Sequence, residues 1–419
     1  MKTAAQLESN SARLDYLDAV RAFALLLGVV FHASLSFLPI PVGWAVMDIE
    51  TSPFIRGFIL VSHSFRMALF FLIAGFFSHM SFHRKGGGAF LRQRVVRLGV
   101  PFVAGWFILW PLIVSGWIMG GQSLSGEVQV IAGLKGGFAI LKELPKGIFT
   151  QTHLWFLYYL MMITAGVLAS RIILKWTGRG YDRLARMLDS TLAWIAARRL
   201  GIWAFILPTA GLVWLMRGWG MDTPDKSLVP VLRITLVYGG FFTLGWALHR
   251  NRETFVRLTK LTAGKVLLAV VASGLSVVLS SVQADLSHPH FTAMRAGFVL
   301  CYATMMWSLV LVSIGTFRLL IRRTYPCIRY VADASYWIYL VHLPVVVWLQ
   351  VTVAEWPLPW SVKWAFVSLA SILIGLASYG LLVRYSWVGR LLHGRRVSSV
   401  KRLEKTVSAP TIPGQFPVR

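Results

Sequence analysis

Apolar residues occur along this chain in long runs separated by short polar segments. Runs of this length can cross a hydrocarbon core of ~30 Å as helices, because an α-helix rises ~1.5 Å per residue. We count ten such runs, over residues 17–38, 55–82, 95–119, 152–175, 200–217, 230–249, 263–283, 293–319, 333–354 and 361–386. The pattern predicts an all-α, polytopic membrane protein with about ten transmembrane helices.

The connections between these runs alternate in charge. One set is basic and comprises residues 83–97, 175–199, 250–265, 318–329 and the tail from residue 390. The other set is acidic or nearly neutral and comprises residues 48–50, 127–146, 222–226, 285–290 and 355. Basic loops stay on the cytoplasmic side of a membrane. An even number of spans then predicts that both termini are cytoplasmic.

Four segments differ from the spans. Residues 1–16 are predicted to be a cytoplasmic N-terminus, and acidic residues before the first run argue against a cleaved signal peptide. Residues 17–390 form the transmembrane domain, in which 181–199 has the apolar and basic faces of an interfacial helix. The glycine- and proline-broken stretch 127–149 is expected to lie on the outer surface or to dip into it. The basic, proline-rich tail 391–419 is predicted to be disordered.

Composition excludes the soluble classes of protein. The chain has 419 residues, of which 56% are hydrophobic, and its mean hydropathy is +0.65. Its formal charge of +26 would suggest a nucleic-acid partner in a soluble protein, but the basic residues lie in the loops that orient the helices. We therefore expect membrane lipid and no nucleic acid as partner. Cys301 and Cys327 do not imply a disulfide framework.

The first run carries two ionisable residues, Arg21 and His32, with ten residues between them. Eleven residue steps of about 100° amount to three turns plus about 20°, so both side chains lie on one face, separated by about 16 Å along the axis. Asp18 lies within about 60° of the same stripe and could hold Arg21 by a charge-assisted bond. Ionisable residues inside a membrane helix are candidates for a functional site.

Further polar residues reach a similar depth from other runs. His63 lies near the outer start of the second run, with Arg66 one turn deeper on the same face. His153 begins the fourth run, and His342 lies near the middle of the ninth. Together with His32 they predict a polar site in the outer half of the membrane.

Imidazole suits general-base chemistry because its ordinary pKa lies near the operating pH. Metal binding is the competing use of clustered histidines. No HExxH motif is present, and His288 and His290 form an isolated pair in a loop. We therefore predict a site without metal.

Arg92, Arg94 and Arg97 open the third run at the cytoplasmic surface, close to Arg21. Retention of basic residues on the cytoplasmic side accounts for such a cluster. A phosphate-rich ligand arriving from the cytosol would need the same fork-shaped donors. Both interpretations stay open on the sequence.

Several short motifs, in a fixed order, resemble the acyltransferase-3 family of integral membrane acyltransferases. They are LDAVRAFALLLGVVFH with its Arg-x10-His spacing, FFLIAGF, RVVRLGVP, HLWFL and SYWIYLVHLP. The resemblance extends from about residue 14 to about residue 390. The segment 63–82 with HLWFL most resembles the glucans biosynthesis protein C branch, which is associated with succinylation of periplasmic glucans. Ala74 stands where the family often has Ser, which leaves a turn at Gly75 as the shared feature.

The resemblance implies a bacterial inner-membrane enzyme that transfers an acyl group from cytosolic acyl-CoA to a carbohydrate hydroxyl on the far side. Succinyl-CoA is the favoured donor and periplasmic glucan the favoured acceptor, with no permanently bound cofactor. The resemblance also implies that His32 and Arg21 are the catalytic residues, with His32 as base or as transient acyl carrier. The donor's CoA end would be held by Arg21 with Arg92, Arg94 and Arg97. Supporting or acceptor-binding candidates are Asp18, His63, Arg66, His153, Trp155 and His342.

Two alternatives stay open on the sequence. One is O-acetylation of another surface carbohydrate by the same chemistry. The other is a transporter or flippase that uses the buried charges as a substrate pathway; inverted repeats would favour it, and we find none. Association into a homo-oligomer is also left open. A free carboxylate on the donor would need a cation near the thioester, and Arg66 is the candidate.

Overall fold

The computed structural model describes residues 4–123, 126, 128–143, 152–178, 180–224, 227–323 and 325–393. Every regular element within those residues is helical. The α-helices are α1 (Ala4–Ser34), α2 (Pro53–Lys85), α3 (Gly87–Arg94), α4 (Val100–Ser123), α5 (Val130–Ala139), α6 (Trp155–Trp176), α7 (Gly180–Ala197), α8 (Trp203–Trp214), α9 (Leu232–Arg250), α10 (Arg252–Leu258), α11 (Ala263–Ser280), α12 (Phe291–Leu320), α13 (Pro326–Val353), α14 (Trp360–Ser378) and α15 (Trp387–His393). A π-helical turn, Val95–Gly99, joins α3 to α4, and another, Tyr379–Val383, extends α14.

The structure confirms the all-α, polytopic architecture. Eight helical segments of the described chain are long and apolar enough to cross a membrane: Asp15–Phe37, Pro53–Lys85, Gly87–Ser123, Thr152–Trp176, Ala263–Ala284, Phe291–Leu320, Pro326–Val353 and Trp360–Val383. The remaining two of the ten predicted spans are also helices. α8 is a shorter apolar helix of 12 residues, and α9, with 19 residues, is long enough but less apolar than the eight. The orientation of the termini stays a prediction.

The other predicted segments have mixed outcomes. The amphipathic stretch 181–199 is helical as α7, and its position at the membrane surface stays a prediction. The segment 127–149 forms the short helix α5 followed by the 3-10 turn Ile140–Glu143, and its last residues lie outside the described part of the chain. The tail lies outside it from residue 394 onward.

Local sequence explains where α2 begins and ends. The Ser52 hydroxyl accepts a hydrogen bond from the Phe54 amide at 3.3 Å, and Pro53 occupies the first helical turn, where its missing N–H costs nothing. Gly86 follows the last residue with φ of +78°, a backbone conformation that glycine adopts without strain.

Four helices form the interior of the bundle. α1 packs against α2, α12, α13 and α14, and α2 packs against α9, α1 and α12. In the most apolar windows of α1, α2, α12 and α13, about two thirds of the residues are buried inside the protein, against 17% for α11. The predicted site residues His32, Arg66 and His342 lie on α1, α2 and α13, away from the outer face of the bundle.

Two glycines bring α2 and α9 into backbone contact. A β carbon at Gly75 would clash with the Phe242 carbonyl, and one at Gly245 would clash with the Leu72 carbonyl. Small residues at helix crossings allow this close approach within membranes. The expected turn at Gly75 is therefore wrong: Gly75 lies inside a continuous helix, and its role is to admit α9.

Candidate active site

A proline inside α13 creates the first polar contact of the site. Pro344 has no N–H, so the carbonyl of Leu340, four residues earlier, has no helical partner there. His153 Nε2 lies 2.9 Å from that oxygen and donates to it. In return, Tyr339 Oη donates to the His153 carbonyl at 2.8 Å. His153 therefore joins the start of α6 to α13.

His342 contacts His32 across the α1–α13 interface. His342 Nδ1 lies 2.6 Å from the Tyr339 carbonyl oxygen, and His32 Nδ1 lies 2.9 Å from His342 Nε2. A carbonyl can only accept, so His342 carries its proton on Nδ1, and its Nε2 accepts from His32 when the ring is neutral. A neutral His32 is then protonated on Nδ1. Its Nε2 keeps the lone pair that a base or a nucleophile needs.

Arg66 lies beside this pair, and within the described residues it has no carboxylate partner. Its side chain is 7% exposed, and its guanidinium carbon sits 4.0 Å from the centre of the Phe31 ring. Its Nε has no hydrogen-bond acceptor, and the ion pairs formed by the described residues do not include Arg66. A β carbon at Gly28 would come within 2.9 Å of Arg66 Nη1, so Gly28 leaves the space that the guanidinium fills.

His63 lies close enough to Arg66 for their charges to interact, and Trp155 packs on Tyr238, which Arg66 also approaches. His63 stacks on the Phe31 ring, which Arg66 also contacts, with ring centroids 5.6 Å apart. Its Nε2 lies 3.0 Å from Thr223 Oγ1. Trp155 stacks on Tyr238, with centroids 5.9 Å apart. The buried Tyr238 hydroxyl has no hydrogen-bond partner among the described residues and lies near enough to Arg66 to interact with its charge. Arg66 and Tyr238 thus each have a buried polar atom without a hydrogen-bond partner in the described structure.

Arg21 is part of a separate group about three turns from His32 along α1. Its guanidinium pairs with Asp18 at 3.0 Å and lies 5.8 Å from the centre of the Phe77 ring. The two charged side chains are 32% and 39% exposed, so this pair is accessible at the end of the bundle. The predicted bond between Asp18 and Arg21 is therefore present, whereas Arg21 does not contact the histidines.

The arginine cluster lies near the same end, and its members have different surroundings. Arg94 donates to the Ser78 hydroxyl at 2.5 Å and lies over the Phe90 ring. Arg97 is close enough to Arg21 for their charges to interact, and its carbonyl accepts from Tyr336 Oη at 2.6 Å. Arg92 is exposed. We call Arg21, Arg94 and Arg97, whose charges interact in pairs, together with the exposed Arg92 of α3, the basic surface.

Sequence reasoning missed two residues that contact His32. Trp44, in the loop after α1, stacks on the His32 ring with an interplanar angle of 8° and centroids 5.9 Å apart. Gln350 of α13 accepts from Trp44 Nε1 at 2.8 Å and donates to the His32 carbonyl at 3.0 Å. Gln350 could have been found from the sequence, because it places an amide side chain inside an apolar run. Nothing in the loop sequence marked Trp44.

Two other buried polar pairs were also missed. Lys363 pairs with Asp48, and both side chains are 1% exposed. Burial raises the pKa of the Asp48 carboxyl, and the hydrogen bond from Lys363 opposes that rise. His79 Nδ1 lies 2.9 Å from His249 Nδ1 where α2 meets α9. A lysine inside an apolar run was the signal for the first pair.

The described residues contain no group of three or more His, Cys, Asp or Glu side chains placed to hold a metal ion. Within that part of the chain, His153 Nε2 and His342 Nδ1 bond to backbone carbonyls, and His32 Nδ1 bonds to His342 Nε2.

Nearly the whole chain matches a single protein family. A family model described as an acyltransferase domain matches residues 14–380. The chain therefore belongs to the acyltransferase-3 family. The fold agrees with that class, since it is an all-helical bundle with several helices long and apolar enough to cross a membrane.

The curated relatives cover a smaller region. Glucans biosynthesis protein C of Escherichia coli (strain K12) is 32% identical over 151 residues, which is 36% of this chain and 36% of that protein. The proteins of the same name from Escherichia coli O1:K1 / APEC and O9:H4 (strain HS) match to the same extent. The chain thus spans about a third of the length of these relatives. No solved structure matches the chain.

Proposed function

We propose that this protein transfers an acyl group, succinyl in preference to acetyl, from cytosolic acyl-CoA to hydroxyl groups of a periplasmic glucan in the bacterial inner membrane. Membership of the acyltransferase-3 family supports acyl transfer. The name of the Escherichia coli relatives, glucans biosynthesis protein C, supports a glucan acceptor. The observation that carries the proposal is the pairing of His32 with His342 beside the uncompensated cation of Arg66.

In the chemical step, His32 Nε2 takes the proton of the acceptor hydroxyl as its oxygen attacks the thioester carbonyl carbon. The imidazolium that forms keeps its Nδ1–H bond to His342, which holds the ring in place. The carbon–sulfur bond then breaks, and the CoA thiolate takes the proton back from Nε2. The products are an ester and free CoA, and His32 returns to its starting state.

The donor approaches from the basic surface at the other end of α1. Arg21, Arg92, Arg94 and Arg97 bind the phosphates of CoA, for which guanidinium groups are suited. The distance from Arg21 to His32 is about 16 Å along the helix, so the pantetheine arm extends between the helices to bring the thioester to the imidazole.

Arg66 gives the preference for a succinyl donor. A buried charge without a partner is costly, so an interior guanidinium lacking a carboxylate is suited to receive one from a ligand. The free carboxylate of a succinyl group has the required charge. The unmet hydroxyl of Tyr238 nearby can donate to the same group.

The test uses purified protein in lipid nanodiscs with labelled succinyl-CoA or acetyl-CoA and a glucan oligosaccharide. The wild-type protein is expected to release free CoA and to label the glucan. Arg66→Gln is expected to lower kcat/KM for succinyl-CoA by at least about tenfold more than for acetyl-CoA, since a bond to a charged group contributes about 1.5–3 kcal/mol. Arg56→Gln is the matched control, because Arg56 lies on the same helix and is exposed.

Three results would contradict the proposal in different ways. Equal losses with both donors would remove Arg66 from carboxylate recognition. Use of acetyl-CoA alone by the wild-type protein would change the reaction to O-acetylation. Absence of CoA release and of labelled glucan with either donor would exclude acyl transfer and favour a transporter or flippase.

A further inference from the structure

The end of α1 is held by a residue from another helix. The last four carbonyls of an α-helix lack helical N–H partners. α1 ends at Ser34, and Gln350 Nε2 donates to the carbonyls of His32 and Ala33 at 3.0 and 3.1 Å. Gln350 is 1% exposed, so these bonds form in the protein interior, where their loss leaves the carbonyls unsatisfied.

The same amide holds the ring that lies on the imidazole. Trp44 Nε1 donates to Gln350 Oε1 at 2.8 Å, and the Trp44 indole is nearly parallel to the His32 ring. The edge of Trp117 meets the Trp44 ring, with centroids 5.2 Å apart. One side chain, Gln350, thus fixes both the backbone of His32 and the aromatic surface against its ring.

The loop that carries Trp44 is itself tied to the bundle. Lys363 pairs with the Asp48 carboxylate, and the Asp48 amide donates to the Ser36 carbonyl at 2.9 Å. The Ile49 amide donates to the Ala354 carbonyl at 3.3 Å. Trp44 therefore projects from a loop with fixed ends, which allows it to restrain the His32 ring.

We propose that Trp44 and Gln350 are positioning residues that hold His32 in one ring orientation, with Nδ1 on His342 and Nε2 available for chemistry. This role rests on the proposed function of His32. Trp44 and Gln350 act through His32 and touch neither donor nor acceptor. A displacement of about 1 Å at a reacting group can cost about a hundredfold in rate.

The first test does not depend on acyl transfer. Diethyl pyrocarbonate modifies neutral imidazole, and mass spectrometry gives the rate at His32 relative to the exposed His290. Gln350→Ala and Trp44→Leu are expected to raise the relative rate at His32 several-fold, because the ring gains freedom. Trp348→Phe is the matched control: its indole donates to the Leu112 carbonyl at 3.0 Å, two residues from Gln350 on α13. Unchanged rates in both test variants would overturn the proposal.

The second test is a kinetic double-mutant cycle. Gln350→Ala is expected to lower kcat by about ten- to a hundredfold while KM for acyl-CoA changes less than about twofold. In a His32→Ala background the same substitution is expected to cause no further loss. Multiplicative losses in the double variant would show that Gln350 acts independently of His32 and would overturn the proposal. Absence of transfer by the wild-type protein would refute the proposed function, and the modification rates would still decide the positioning role.

Discussion

A single proline determines much of the site's geometry. Pro344 leaves the Leu340 carbonyl without a helical donor, and His153 uses its Nε2 to satisfy it. His153 therefore acts in the structure as a bridge between α6 and α13, and its donor nitrogen is already engaged. His342, two residues before the proline, keeps its Nδ1 on a carbonyl and its Nε2 on His32.

His32→Ala tests the central residue. It removes the base and is expected to lower kcat by about 10²–10⁴-fold, with folded protein still inserted in the membrane. The measurement is CoA release by purified protein, with thermal unfolding as the check on folding. Near-normal turnover would make the imidazole structural.

His342→Ala separates the two histidines. It removes the His342 acceptor from His32 Nδ1–H, so the tautomer with the free Nε2 is less favoured. A loss of about ten- to a hundredfold in kcat is expected, smaller than that of His32→Ala. A loss as large as that of His32→Ala would instead give His342 a direct part in the chemistry.

At the scale of elements, the sequence predicted helices better than it predicted the connections between them. Every predicted span is a helix, because long apolar runs leave no alternative for a backbone that must satisfy its hydrogen bonds inside lipid. The spacing of Arg21 and His32 also follows from helical geometry alone. Trp44 could not be predicted, because a loop residue meets its partners through tertiary packing that no periodicity records. Lys363 could have been predicted to have a buried partner, since a lysine in an apolar run needs a counter-charge.

The Asp48–Lys363 pair is predicted to stabilise the loop after α1. Lys363 donates to the Asp48 carboxylate and to the carbonyls of Ala354 and Trp356. Lys363→Met leaves a buried carboxylate unpaired, which typically costs about 3–5 kcal/mol. Thermal unfolding in detergent measures the effect, and the double variant Asp48→Asn/Lys363→Met is expected to recover most of it. Arg257→Met, in an exposed pair, is the control, with an expected change below about 1 kcal/mol.

At the scale of the whole molecule, charge alternation predicts an orientation that the fold alone leaves open. It places the histidine pair toward the outer side and the basic surface around Arg97 toward the cytosol. The same signal could not reveal which helices line the interior. That depends on contacts such as the glycine crossing of α2 and α9, where the identity of single residues decides how closely the backbones approach.

Labelling of single cysteines tests the orientation. In a background with Cys301→Ala and Cys327→Ala, cysteines replacing Glu50, Ser227 and Glu355 are expected to react with an impermeant thiol reagent from the periplasm. Cysteines replacing Gly87 and Glu253 are expected to react only after the membrane is permeabilised. All five positions are exposed, so accessibility does not confound the comparison. Labelling of Gly87→Cys from outside would reverse the orientation.

The unpartnered charge of Arg66 has a consequence for the movement of protons across the membrane. His32 and His342 place two proton acceptors in series within the membrane, and a row of imidazoles is a path along which protons can hop. A fixed cation beside the pair raises the energy of any additional proton, as charged residues do in pores that exclude protons. The series also ends at His153, whose Nε2 is held by a carbonyl. On the proposed mechanism, the bundle exchanges one proton within each turnover without letting protons cross the membrane.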